Sequence, residues 1–175
     1  MTQNDIAMPT AAQLQLLIDE SSIRGLLAQY PRAIDRHDHA LLASLFHEDA
    51  TTEYGSYNGP VAGFIEFMRA GEKPRQHWMH HNGTQLIEID GDKATAETYC
   101  LAFCRQNDAG GQPSKNEVFL RVRYLDHLDK RNGDWRISHR RVTFSPSQIV
   151  EVAQDFPLWD NTFTESGADD PSYTW

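Results

Sequence analysis

The sequence contains few cysteines, and their spacing argues against two kinds of cysteine-based site. Only two are present in 175 residues, Cys100 and Cys104. They lie too close along one predicted strand to form a disulfide framework. They also lack the CxxC spacing that is typical of zinc sites. We expect both to be free, buried thiols.

Positive charge and long apolar runs are scarce as well. Lys and Arg total 16 against 25 Asp and Glu, which gives a formal net charge of −9. Because phosphate-binding surfaces depend on clustered cations, a nucleic acid partner is not expected. No apolar run approaches the roughly 20 residues that span a bilayer. The N-terminus "MTQNDIAMPT" has no basic-then-apolar signal pattern, so we predict a cytoplasmic protein without a membrane partner.

The remaining composition is sufficient for one hydrophobic core. Hydrophobic residues make up 39% of the chain and aromatic residues 10%, which a chain of this length buries in one domain. We therefore predict a single domain over 1–175, with a core over about 14–145 and a polar C-terminal tail at 160–175. That tail, which ends in "TESGADDPSYTW", is expected to be mobile or to dock on a neighbouring surface.

Apolar residues recur at helical spacing in the first third of the chain. They predict an amphipathic helix whose inward face holds Leu14, Leu17, Ile18, Ile23, Leu26, Leu27, Tyr30 and Ile34. A fresh helix is expected to start at Ser21 or Ser22. The segment "HALLASLFHED" predicts a short second helix. A short strand around Thr51–Tyr54 and a third helix, "GFIEFMRAGE", introduced by Pro60, complete this part.

The hydrophobic period then changes from helical to alternating. "TQLIEIDGDKATAETYCLAFCRQ" is two β runs joined by "DGD", and "NEVFLRVRYLDHLDKRNGDWRISHRRVTFS" is a second pair joined by "KRNGD". Helices that precede a long antiparallel sheet predict an α+β fold, with the helices covering one face of a curved sheet.

Two residues at the end of the first helix are candidates for a site. Asp35 follows the last residue of the apolar stripe, so its carboxylate either caps the turn "DRHD" or points into the space between helices and sheet. Tyr30, on the inward stripe, reaches the same space, although a tyrosine there is more often part of the core.

His80 and His81 begin the strand "QLIEI", and strand alternation lets only one of them face the interior. Neither an HExxH motif nor a paired CxxC accompanies them, which leaves a metal site as the weakest of three interpretations. The other two are a histidine satisfied by a backbone carbonyl, and a general base held in one tautomer by a carboxylate such as Asp35. The spacing does not choose between these two.

Arg140 and Arg141 lie on the last predicted strand, again with one on each face. Surface ion pairing explains either residue. An inward arginine beside a cavity would instead stabilise an anionic oxygen or a leaving group. The remaining histidines are expected in turns or on polar strand faces, without a chemical role.

Three stretches together resemble the nuclear-transport-factor-2-like superfamily, in its SnoaL-like branch, which includes scytalone dehydratase and the hexachlorocyclohexane dehydrochlorinases. They are "IDRHDHALLASLFHEDA", "HHNGTQLIEIDGDKATAETYCLAF" and "VRYLDHLDKRNGDWRISHRRV", and they occur in the family's order. The resemblance covers roughly residues 16–142. It implies a cone-shaped α+β barrel, in which a strongly curved antiparallel sheet wraps around the helices and leaves an apolar pocket.

The resemblance also implies roles for individual residues. His80 corresponds to the family's base, Asp35 to the acid that orients it, and Arg140 to an electrostatic stabiliser. Tyr54 resembles a pocket tyrosine of scytalone dehydratase, and Tyr30, which its place on the inward stripe directs to the same space, is expected to contact the substrate as well. A second active-site histidine of scytalone dehydratase is replaced here by Thr98 or a neighbour, and many relatives have a histidine where this chain has Cys104. The resemblance thus predicts His80 as the inward residue, His81 as its outward neighbour, and Thr98 and Cys104 in the substrate-binding wall.

The expected function is a cofactor-independent lyase that eliminates water, halide or a small aldehyde such as formaldehyde from a small aromatic or hydroxylated hydrophobic substrate. Proton-relay isomerases and cyclases use similar groups. A non-catalytic binding protein, or a partner like the small subunits of ring-hydroxylating dioxygenases, is the alternative from another class. No metal or other cofactor is expected. The apolar residues on both faces of the strands, such as Leu101 and Ala102, predict a homodimer or homotrimer.

Overall fold

The computed structural model describes residues 8–72, 77–107, 113–153 and 170–174. Three α-helices lie in this part of the chain: α1 (Ala11–Asp35), α2 (His39–Ser44) and α3 (Val61–Gly71). Helix α1 begins with a capping box, in which Thr10 and Gln13 satisfy each other's backbone N–H groups. Helix α3 follows Pro60 as predicted.

Helix α1 differs from its prediction in two respects. It runs unbroken for 25 residues, about 37 Å. The Ser22 hydroxyl donates to the Ile18 carbonyl and does not cap a new helix. The apolar part of its buried face begins only at Ile23, whereas Leu17 and Ile18 are 61% and 58% exposed. The sheet therefore does not cover the apolar side chains in the N-terminal half of α1.

Seven strands of the described residues form one curled, unclosed sheet. They are β1 (Phe46–Glu53), β2 (Asn58–Pro60), β3 (His77–Asp90), β4 (Lys93–Asn107), β5 (Pro113–Arg131), β6 (Asp134–Phe144) and β7 (Gln148–Glu151). The order across the sheet is β2, β1, β6, β5, β4, β3, and β7 pairs with the first part of β5. The predicted α+β class is confirmed, with few helices against one large sheet.

The two predicted hairpins are confirmed, and the rest of the sheet differs in detail. Asp90 pairs with Lys93, and Arg131 pairs with Asp134 across the turn Asn132–Gly133, where both residues have positive φ. Strand β1 is longer than the predicted Thr51–Tyr54. It also pairs with β6 in the parallel direction, so the sheet is mixed rather than fully antiparallel.

The core lies between the helices and the concave face of the sheet. Strand β4 shows the alternation most clearly, since its buried positions hold short side chains and its exposed positions include Thr95, Tyr99 and Leu101. The buried positions are Ala94, Ala96, Thr98, Cys100 and Ala102. Because these side chains are short, the curve of the sheet has room for helix α1 and a cavity.

Polar contacts fix both ends of the buried part of α1. Near its start, the Asp19 carboxylate accepts from Lys130 Nζ at 2.7 Å and from Trp135 Nε1 at 2.9 Å. At its end, Arg36 Nε lies 3.1 Å from Asp170 Oδ1, in the short 3-10 segment of the C-terminus. The described part of the tail thus docks on the end of α1. None of the helices in the described ranges has the length and apolar character of a membrane span.

Candidate active site

A cavity of about 370 Å³ lies between α1, α3 and the concave face of the sheet. Its wall is mostly apolar. Aromatic side chains contribute one part: Tyr30, Tyr54, Phe64, Phe67, Trp78, Tyr124 and Phe144. The sheet contributes smaller groups: Ala102, Cys104, Val118, Leu120, Val122 and Val142. The polar groups in the wall are few, and His80 supplies the one imidazole among the described residues that line it.

The last residue of α1 holds the imidazole of His80 in place. Asp35 Oδ1 accepts from His80 Nδ1 at 2.6 Å, and Asp35 Oδ2 accepts from the backbone N–H of His80 at 2.9 Å. Both side chains are largely buried, with 12% of His80 and 17% of Asp35 exposed. The predicted contact between these residues is therefore present. Because both carboxylate oxygens are used, the ring cannot rotate without losing a charge-assisted hydrogen bond.

The two neighbouring histidines face opposite sides of β3, as strand alternation requires. His80 pairs with Ala102 and lines the cavity, whereas His81 pairs with Leu101 and is exposed on the outer face. With Nδ1 bonded to Asp35, Nε2 is the nitrogen of His80 that remains for a ligand.

Two tyrosine hydroxyls meet in the cavity wall. Tyr30 on α1 and Tyr54 after β1 are in hydrogen-bond contact through their hydroxyl groups. Tyr54 also stacks on Phe64, with ring centroids 4.4 Å apart. Burial raises the pKa of both tyrosines, and Arg140 opposes the rise in each. Both phenols therefore keep their protons at neutral pH, and one of the two protons lies between the hydroxyls while the other is available to a ligand.

Arg140 does not occupy the position expected of a residue that contacts substrate. Its side chain is 1% exposed, does not line the cavity, and forms two hydrogen bonds of 2.7 Å to the Asp126 carboxylate. The guanidinium lies behind the tyrosines, 3.9 Å from the ring centroid of Tyr30 and 4.5 Å from that of Tyr124. Direct stabilisation of a ligand by Arg140 is thus not what this geometry provides.

Of the other two residues predicted in the cavity wall, Cys104 lines the cavity and Thr98 does not. Cys104 lines the cavity on the same face of β4 as Ala102. Thr98 does not line it: the residue is fully buried on the same face nearer the β3–β4 turn, where it pairs with Tyr124. The predicted contact of Thr98 with a ligand is therefore not supported, because strand β4 carries Thr98 past the end of the cavity.

Cys104 gives a prediction that does not depend on the reaction. Burial raises the pKa of its thiol to about 12, so the thiol is protonated at neutral pH, and only the thiolate is nucleophilic. We expect iodoacetamide to leave the folded protein unmodified at pH 7 while it alkylates the urea-unfolded chain at both cysteines. Intact-mass spectrometry measures both. Rapid single alkylation of the folded chain at Cys104 would contradict the assigned environment.

Sequence reasoning missed a polar cluster beside the cavity. His39 Nε2 lies 2.9 Å from Glu72 Oε1, and the ring of His37 packs edge-on against Trp78 with centroids 5.3 Å apart. Burial lowers the pKa of His37, and Glu72 opposes this. The "HDH" spacing was a signal, but its partner Glu72 lies far along the chain, directly after the end of α3. Among the described residues, no three His, Cys, Asp or Glu side chains converge as metal ligands.

These features define a class of protein: a curled α+β sheet around helices, with an imidazole–carboxylate pair in an apolar cavity. The sequence matches the SnoaL-like domain model over residues 15–141, and the chain therefore belongs to that family. Among curated proteins, the sequence has no significant match.

Solved structures show the same fold. A candidate scytalone dehydratase from Novosphingobium aromaticivorans DSM 12444 is similar over 82% of this chain and 95% of its own, with 20% identity and a TM-score of 0.68. The hexachlorocyclohexane dehydrochlorinase LinA-type3 from Novosphingobium barchaimii LL02 is similar over 83% and 99%, with 17% identity and a TM-score of 0.70. Rv3472 from Mycobacterium tuberculosis, of unknown function, is similar over 75% and 74%, with 26% identity and a TM-score of 0.62.

Proposed function

We propose that the cavity is the active site of a cofactor-independent lyase in which His80 is the general base. The observation that carries the proposal is the Asp35–His80 hydrogen bond of 2.6 Å at the wall of an apolar cavity. In such a site the base removes a proton from carbon or from a hydroxyl group. The electron pair left behind forms a double bond as the leaving group departs with its own bonding pair.

The tautomer of His80 supports this assignment. The carboxylate of Asp35 can only accept, so the proton of the neutral ring resides on Nδ1 and the lone pair on Nε2 faces the cavity. When Nε2 takes a proton, the ring becomes an imidazolium whose charge Asp35 balances at contact distance. This is the role that the carboxylate has in other paired acid–base sites.

The cavity wall suggests the substrate class. Phe64, Trp78 and Phe144 favour a flat, apolar ligand, and the Tyr54 hydroxyl offers a hydrogen bond to one oxygen or halogen of it. No Lys, Arg, Asp or Glu is among the described residues that line the cavity. A small aromatic or hydroxylated hydrophobic molecule that loses water, halide or a small aldehyde fits these groups. The dehydratase and dehydrochlorinase names of the structural relatives agree with elimination chemistry.

The proposal is tested by incubating the protein, dialysed against EDTA, with a panel of aromatic diols, alcohols and halides. Mass spectrometry follows the loss of water, hydrogen halide or formaldehyde. A product formed by the wild type and absent with His80→Ala supports a lyase. A product of unchanged mass indicates an isomerase that returns the proton. If compounds of the panel bind but none of them is converted to a product, the protein is better described as a binding protein.

We propose also that the outer face of the sheet mediates self-association. Met79, Leu86, Tyr99 and Leu101 lie on this face and are 41 to 60% exposed. Sedimentation at micromolar concentration is expected to give a dimer or trimer of the 20.0 kDa chain. Leu101→Asp should shift the species toward the monomer, whereas Thr95→Asp, on the same face of β4 but away from these residues, should not. A wild-type monomer would contradict the proposal.

A further inference from the structure

Among the described residues, Arg140 is the largest fully buried side chain, and its position is not explained by the pairing with Asp126 alone. That carboxylate binds the Nε and Nη2 edge of the guanidinium, while Nη1 is buried without a hydrogen bond of standard geometry in the described part of the chain. The guanidinium nevertheless lies close enough to the Tyr30 and Tyr54 hydroxyls to oppose the rise in their pKa. A buried donor without a well-formed hydrogen bond is destabilising. A neutral side chain of similar volume would avoid this cost, which points to a use for the cation.

The cation lies against the aromatic side of the cavity wall. Its central carbon is 3.9 Å from the ring centroid of Tyr30, whose hydroxyl contacts that of Tyr54. It is also 4.5 Å from the ring centroid of Tyr124, which lines the cavity as well. The guanidinium is therefore separated from a ligand by one layer of phenol rings.

We propose that Arg140 is a positioning residue that acts through the Tyr30–Tyr54 pair, so that the cavity favours a ligand oxygen that carries or gains negative charge. The ligand class is a phenol, an enol or an enolisable carbonyl compound. This inference rests on the proposed function for the location of the site, but it concerns binding and does not require turnover.

The physical basis is the fixed sign of the guanidinium. An arginine side chain only donates and does not lose its proton in a protein, so its charge is present at every working pH. Charge interactions are less screened in a buried wall than in water. A cation on the face of the Tyr30 ring therefore polarises the paired hydroxyls, and the phenol proton that is not used between Tyr30 and Tyr54 becomes a stronger donor to the cavity. An anionic acceptor gains most from a donor polarised in this way.

Asp126 does not cancel this effect, because it lies on the other edge of the guanidinium. Asp126 and Arg140 are register partners on β5 and β6, whereas Tyr30 approaches from helix α1. The carboxylate satisfies two donors and leaves the ring-facing surface of the cation to the tyrosines. The pair thus holds a fixed dipole whose positive end is directed at the cavity wall.

The test uses 4-nitrophenol as the probe, because its anion absorbs visible light and its ionisation in the cavity can be titrated directly. All variants are made in the His80→Ala background, so that the base does not take the proton of the probe. Arg140→Met with Asp126→Leu removes both buried charges with little change of volume, a replacement that buried ion pairs often tolerate. Arg123→Met with Glu97→Gln is the matched control, since it removes the ion pair of 2.8 Å between β4 and β5 on the outer face.

At equal pH, we expect the ratio of bound anion to bound neutral probe to be at least about tenfold higher in the parent, which keeps Arg140, than in the charge-free pair. A tenfold higher ratio means that the pKa of the bound phenol is lower by about one unit in the parent. The outer-face control should match the parent, and 4-nitrotoluene should bind equally to all three proteins. A difference below about twofold overturns the proposal, as does failure of the parent to bind 4-nitrophenol at millimolar concentration.

A second variant keeps the test decisive if the charge-free pair does not fold. Arg140→Gln with Asp126→Asn also removes both buried charges but keeps a polar pair that can hydrogen-bond between the two strands. The bound probe should then ionise at a higher pH than in the parent, and an unchanged or lower value overturns the proposal. Because no arm of the experiment measures turnover, these outcomes do not depend on whether His80 acts as a base.

Discussion

Replacing His80 by alanine is expected to lower turnover by about 10³-fold, within the range of 10²- to 10⁴-fold that a general base contributes. Among the described residues that line the cavity, the variant loses the only imidazole, while the cavity keeps its shape. Folding should be retained, because Asp35 still accepts the backbone N–H of residue 80 at 2.9 Å. Turnover on a substrate identified by the mass-spectrometric panel, with circular dichroism as the folding measurement, checks this result.

His81→Ala is the matched control for that experiment. The residue is the same type, adjacent in sequence and on the same strand, but it is exposed on the outer face. Its activity should stay within about twofold of the wild type, as expected for a substitution away from the transition state. An inactive His81→Ala beside an active His80→Ala would contradict the assignment of the base and of the strand faces.

The sequence patterns were sufficient for the class of fold and for most of its elements. The change from helical to alternating periodicity predicted helices followed by a sheet, and the Asn132–Gly133 turn identified one hairpin. The same patterns failed for the N-terminal half of α1, where Leu17 and Ile18 have helical spacing but are exposed. Periodicity reports which residues share a face, but not whether another element covers that face.

The position of Arg140 shows why part of the site was beyond sequence reasoning. Close to the turn, Leu128 pairs with Ile137, but the register shifts by one residue before His127 pairs with His139. Without this bulge, Arg141 rather than Arg140 would share the inner face with Ile137. No local pattern in "DWRISHRRV" marks the bulge, and only the family resemblance selected Arg140. The burial of its guanidinium against Asp126 was not predicted.

The Asp35–His80 pair was predicted from strand alternation together with the family resemblance. Alternation showed that only one of His80 and His81 faces inward, and the resemblance selected His80. The bidentate use of the Asp35 carboxylate came from neither, because it depends on where the end of α1 meets β3. That geometry decides the consequence of changing the carboxylate.

Asp35→Asn is expected to lower turnover by about 10²- to 10⁴-fold although it preserves the size of the side chain. The wild-type carboxylate accepts from the His80 backbone with one oxygen and from Nδ1 with the other. An asparagine has one acceptor and one donor. If its oxygen accepts the backbone N–H, its amide nitrogen faces Nδ1, which must then lose its proton to Nε2. The nitrogen that faces the cavity becomes a donor, and the base is lost.

The opposite orientation of the amide does not restore the base. Its oxygen would then accept from Nδ1, but its NH₂ group would face the backbone N–H of His80, and two donors would oppose each other. Either orientation also removes the negative charge that balances the imidazolium.

Turnover of Asp35→Asn, of His80→Ala and of the double variant measures the coupling between the two residues directly. Because the two residues act as one unit, the double variant should be no slower than His80→Ala. Asp90→Asn, an exposed aspartate on the same strand as His80, is the control for the amide change. Multiplicative losses in the double variant would show that Asp35 contributes independently of His80, and would contradict the pairing as the basis of catalysis.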